Sequence, residues 1–161
     1  MQTQLEMLDC NLRSNPPEVC WPEDYEPRNR GFTGWLFLPS DKLCLYRSRE
    51  QIPGYRLKIS DVIKAARRVS NKKPLTAYVA DAMLEDHSRI PQSWGEVRRG
   101  EELSPYIVFA GTIFNSPTSP GSERVRVLTK SNALHDDWYT FDYHITEDCV
   151  GSNWYIAMIR T

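Results

Sequence analysis

Pro105-Tyr106-Ile107-Val108-Phe109-Ala110-Gly111-Thr112-Ile113-Phe114 is where the hydrophobic period of the chain changes. Aromatic and β-branched residues crowd this stretch, the composition of a strand rather than a helix. The signal returns downstream. Arg124-Val125-Arg126-Val127-Leu128-Thr129 alternates strictly, so one of its faces is wet. Trp138 to Ile145 also alternates. Trp138, Thr140, Asp142 and His144 fall on one side, which reads as the wet one; Tyr139, Phe141, Tyr143 and Ile145 fall on the other. Trp154 to Ile159 makes a last strand. The stretch Asn115–Ser122, with Pro117, Pro120 and Gly121, reads as a mobile loop between two of these strands.

Upstream the period is helical. Ile59, Val62, Ile63, Ala66 and Val69 form one apolar stripe. Ser60 suits the N-cap, Asp61 the first turn, and Asn71 a left-handed close. A second helix is expected from Pro74, with Leu75, Tyr78, Val79, Ala82 and Met83 as its stripe. Ala77, Ala80 and Ala82 favour helix over strand there. Ser93-Trp94-Gly95-Glu96 has the pattern of a capping box and predicts a short third helix ending at Gly100. Before these, Gly34–Leu38 and Leu43–Arg47 read as a hairpin around Pro39-Ser40-Asp41-Lys42.

Strands and helices kept apart in sequence indicate the α+β class. The expected architecture is a single domain with an antiparallel sheet of about five to six strands and two to three helices packed on one face. That domain spans residues 32–161. Residues 1–31 read as an extended N-terminal arm, because Pro16, Pro17, Pro22 and Pro27 interrupt any helix or central strand. Trp21 and Tyr25 are its candidate anchors, and Leu5 to Leu8 has the composition for one helical turn. In element order the chain resembles sensor domains of the PAS type; a resemblance of order implies no function.

The 161 residues carry 20 basic and 21 acidic side chains, a net charge of -1. Five Trp, eight Tyr and five Phe exclude a disordered polar chain. No basic start followed by an apolar run marks a signal peptide, and no stretch is long enough to span a membrane. Cys10, Cys20, Cys44 and Cys149 contain no Cys-x-x-Cys pair, so they read as reduced thiols in a cytoplasmic protein. Glycine-rich phosphate loops and a nucleophile elbow are absent as motifs.

The near-zero charge conceals polarity. Residues 1–50, 51–100 and 101–161 carry charges of -2, +5 and -4. Lys64, Arg67, Arg68, Lys72 and Lys73 form a candidate contact for phosphate or an acidic partner. Asp136, Asp137, Asp142, Glu147 and Asp148 make the opposite pole, with Trp138 as a candidate aromatic contact. The ordinary explanation of such charges is a solvated helix face.

Histidines offer the other chemistry. Asp142 and His144 share a strand face and form a candidate acid–base pair, with His135 and His87 as further weak catalytic candidates. Their spacing matches no zinc-hydrolase pattern, and neither a metal nor a cofactor is expected. The preferred expectation is a small intracellular, non-catalytic binding or regulatory module that engages a protein or nucleoprotein. A nucleic-acid backbone contact and head-to-tail homo-oligomers are compatible with it; a membrane partner is not expected. The alternatives are a small, metal-dependent or metal-free hydrolase on the His/Asp cluster, or a small-ligand sensor domain.

Overall fold

The computed structural model describes residues 36–101, 103–116, 119–131, 137–145 and 148–161, with the short stretches 6–9 and 19–20. The strands, in chain order, begin with β1 (Glu6–Asp9), β2 (Val19–Cys20), β3 (Leu36–Phe37), β4 (Leu43–Tyr46) and β5 (Leu57–Lys58). Helix α1 (Ile59–Arg67), strand β6 (Lys72–Pro74) and helix α2 (Ala77–Glu85) follow. The chain then builds β7 (Tyr106–Ser116), β8 (Ser119–Lys130), β9 (Trp138–His144), β10 (Cys149–Val150) and β11 (Trp154–Arg160).

The fold is α+β. Its main sheet runs β4-β11-β7-β8-β9, with β1 alongside β7 and β6 alongside β11. β7, β8 and β9 form an antiparallel meander, as expected from their alternation. The sheet is mixed, because β11 lies parallel to β7 and antiparallel to β4.

The two helices cover opposite faces, which corrects the expectation that they share one. On one face Leu75, Val79, Ala80 and Met83 pack with Ile107, Phe109, Leu128 and Ala157. On the other, Ile59, Val62, Ile63 and Ala66 pack with Val108, Ala110, Val127, Ile156 and Met158. Successive strand residues point to opposite faces, so a strand buried on both reads as a continuous apolar run. Tyr106–Phe114 is such a run.

Between α1 and α2 the chain must change faces, and it does so through the sheet. β6 pairs with the far half of β11, from Met158 to Arg160, while β7 pairs with the near half, from Trp154 to Ile156. Leu75 spans the gap: its N–H donates to the Ala157 carbonyl at 2.9 Å and its carbonyl accepts from the Gly111 N–H at 2.8 Å. A Cβ on Gly111 would stand 2.8 Å from the Leu75 and Pro74 backbone, so only glycine fits. β7 bulges here, since Phe109 pairs with Arg126 but Phe114 with Arg124.

This crossing explains why the second helix starts later than Pro74. Residues 72–76 are held extended by β11, and α2 begins at Ala77 with Thr76 as N-cap. The Thr76 side chain makes no cap bond; the Ala77 N–H donates instead to Thr112 Oγ1 at 3.1 Å. Likewise Lys58, not Ser60, is the N-cap of α1, because β5 pairs with β10 and places the Ile59 N–H 3.1 Å from the Asp148 carbonyl. Asn71 does adopt the left-handed conformation, at φ 61°.

Four further expectations change. β3 pairs with β2, and β4 pairs with β11, so the Leu36–Tyr46 region is not a hairpin. A 3-10 turn, Ser40–Lys42, separates them, and fully buried Leu38 pulls the intervening chain into the core. The third helix is a 3-10 turn, Gln92–Gly95, which buries Trp94. Residues 115–116 and 119–122 continue the β7–β8 pair rather than forming a loop, with Asn115 opposite Glu123 and Ser116 opposite Ser119; 117 and 118 lie outside the described residues. Glu6–Asp9 is a strand rather than a helical turn; Trp21 and Tyr25 lie outside the described residues.

Candidate functional site

The five basic residues of the expected contact divide. Lys64, Arg67, Arg68 and Lys73 are exposed, and Lys72 is half-buried within β6. Lys64 Nζ stands 3.9 Å from Asp61, one helical turn away. Arg67 turns toward the sheet, where its Nη2 donates to the Ala110 carbonyl at 3.4 Å. Burial pulls the Arg67 pKa down and Glu123 opposes that pull. It lines a small groove of about 180 Å³ with Lys64, Glu123, Ile113 and Ile145.

Among the described residues the His/Asp set is not gathered into one metal-binding constellation. His87 sits exposed in the 3-10 turn His87–Arg89, and His144 is exposed at the end of β9. His135 and Asp136 lie outside the described residues. Asp137 is exposed, and its carbonyl accepts from the Ser131 N–H at 2.8 Å. Among the described residues no group of three His, Cys, Asp or Glu side chains is arranged to hold a metal ion.

Asp142 belongs to a different cluster. Arg126, opposite it on β8, donates from Nε to Asp142 Oδ1 at 2.7 Å and from Nη1 to Asp81 Oδ1 at 2.5 Å. The Arg126 side chain is only 8% exposed, and its guanidinium lies 5.0 Å from the centre of the Phe114 ring. Burial alone would lower its pKa, but the Asp142 and Asp81 carboxylates outweigh burial and hold it above its ordinary value. Strand period suggests His144 as the partner of Asp142, and no motif singles out Arg126. Asp81 lies 45 residues away on α2, so no local spacing announces the cluster.

The aromatic faces of β9 also exchange roles. Trp138 packs against the α2-side core, with ring atoms beside Gly95 and Lys130 near the same spot. Its side of the strand is therefore not simply the wet one. On the opposite face Tyr106, Phe141, Tyr143 and Trp154 close a ring of contacts. Tyr106 and Trp154 stack at 4.6 Å, Trp154 meets Tyr143 at 4.7 Å, and Phe141 lies 6.3 Å from Tyr143 and 6.1 Å from Tyr106. Tyr139 extends the layer and is 44% exposed. These rings pack on the core beneath α1 yet remain half-buried. Partial burial and nearby Asp148 push the Tyr143 pKa up, with Arg56 opposing. The alternation of Tyr139, Phe141 and Tyr143 was the available signal.

A second recess lies on the α2 side, where β4 and β11 meet the 3-10 turn Gln92–Gly95. It has a volume of about 380 Å³ and is lined by Leu45, Arg47, Ser93, Trp94, Arg98 and Tyr155, among others. Arg98 and Arg47 stand 4.8 and 5.8 Å from the centre of the Tyr155 ring.

No helix among the described residues is long and apolar enough to cross a membrane. Comparison with protein-family models, with curated proteins and with solved structures returns no match.

Proposed function

We propose that the chain is a small intracellular binding or regulatory module, non-catalytic itself, that engages a protein or nucleoprotein through a charge-polarised surface. The observation that carries this reading is the half-buried aromatic layer on the same sheet face as α1, whose exposed side chains Asp61, Lys64 and Arg67 are followed by exposed Arg68 at its C-cap. Aromatic rings supply contact area at low entropic cost, and flanking cations steer an acidic or phosphate-bearing partner. The acidic end around Asp137 supplies the opposite pole, for a second contact or for head-to-tail self-association.

The test is capture of partners from the source cell at low and moderate salt, with nucleic-acid staining. Bound material is expected to fall with salt, and to be lost from the doubly reversed variant Lys64→Glu with Arg68→Glu. A partner retained by that variant and by Phe141→Ala would overturn the proposal. A hydrolase on His87, His135, Asp142 and His144 has less support, because both Asp142 oxygens face Arg126. Metal content after purification and the activity of His144→Ala distinguish it.

A further inference from the structure

The recess beside β4 has features that the proposed partner surface does not use. Two guanidinium groups, Arg47 and Arg98, converge on it over one aromatic ring. Tyr155 is 4% exposed, and its hydroxyl is buried with no hydrogen-bond partner among the described residues. Its ring, beneath the two guanidinium groups, forms part of the recess wall. Ser93 adds a hydroxyl, while Trp94 and Leu45 supply apolar wall.

The two arginines are not equally engaged. Arg47 reaches Glu101 Oε1 and the Ser152 carbonyl, each at 3.4 Å. Both contacts are long beside the roughly 2.7–2.9 Å of a charge-assisted bond. Among the described residues no carboxylate pairs with Arg98. Its position follows from the turn in which the Glu101 N–H donates to the Arg98 carbonyl at 2.9 Å, with Gly100 at φ 89°. Only glycine adopts that conformation without strain. The turn therefore holds over the recess a cation that no described carboxylate pairs.

We propose that this recess binds a small organic carboxylate. The two arginines, offset by Glu101, leave one net positive charge, which matches a monoanion better than a phosphate dianion. The planar fork of Arg98 fits both oxygens of a carboxylate. The apolar body of the ligand rests against Trp94 and Leu45. At about 380 Å³ the space falls within the range of small-molecule sites.

Benzoate is the probe, with benzamide as its uncharged counterpart and inorganic phosphate as the alternative anion. Titration calorimetry and thermal unfolding of the full chain should show saturable benzoate binding and a rise in Tm. Benzamide and phosphate should produce neither. Arg98→Gln, a change at an exposed residue, should weaken benzoate binding by about tenfold or more while leaving the unliganded Tm in place. The proposal fails if benzoate does not bind saturably, if benzamide binds equally well, if phosphate alone binds, or if Arg98→Gln binds benzoate unchanged. Partner capture through the α1 face should be the same in Arg98→Gln, so the two proposals stand or fall separately.

Discussion

Arg126 is held between Asp81 and Asp142 with only 8% of its side chain exposed, and those carboxylates stay partly in water, at 40% and 28%. Removing one partner of a fully buried pair costs roughly 3–5 kcal/mol, mainly through the charge left behind. Here the stranded carboxylates can resolvate, so Arg126→Ala should cost about 2–3 kcal/mol, read from the urea midpoint. Gly111→Ala forces a Cβ against the Leu75 and Pro74 backbone at 2.8 Å, and should cost about 1–3 kcal/mol or more, in line with overpacking. Asp86 gives a pH prediction. Its carboxylate accepts from the Ser88 hydroxyl at 2.6 Å and the Ser88 N–H at 3.1 Å, and these bonds hold its pKa below the ordinary carboxylate value. Its contribution to stability is therefore complete above the unfolded-state pKa and is lost as pH falls through the lowered one. An NMR titration should show Ser88→Ala returning Asp86 toward the ordinary value.

At the scale of elements, α1 separates two kinds of arginine that the sequence presents side by side. Both are exposed, but Arg67 also reaches the Ala110 carbonyl and feels Glu123. Arg68→Glu should change stability by no more than about 0.5 kcal/mol, whereas Arg67→Glu should destabilise measurably in the same denaturation assay. Elements defined by local period were legible: the stripe Ile59–Ala66 gave α1, and the alternation Trp138–Ile145 gave β9. Partners were not. β4 pairs with β11 through Tyr46 and Ile156, and nothing near Tyr46 encodes a strand so far along the chain. Opposite-face packing was written in the unbroken apolar run of β7 but was outweighed by the expectation of a half-wet sheet. Among site residues, exposed Lys64 and Arg68 could be read from helical spacing. Arg98 over Tyr155 could not, because a turn and a strand from different parts of the chain bring them together.

The whole molecule is organised by β11. Among the described residues it pairs with β4, β6 and β7 and so joins the first two to the β7–β8–β9 meander. Contacts of such long sequence separation require large loop closures before they contribute, so folding should be slower than in helical domains of similar size. Hydrogen exchange should find the slowest amides in β7, β8 and the centre of β11, where strands are flanked on both sides.

The dependence on β11 has a consequence for the protein's fate when it is damaged. Losing an outer strand shortens a sheet, but losing Trp154–Arg160 divides this one. β4 loses its ladder, β6 keeps only the adjoining Leu75–Gly111 bond, and the Tyr106–Val108 edge of β7 becomes free. Free, flat edges recruit strands from other molecules. Cleavage near Gly151 should therefore convert a folded chain into a nucleus for aggregation, visible as sedimenting material with retained β-sheet signal.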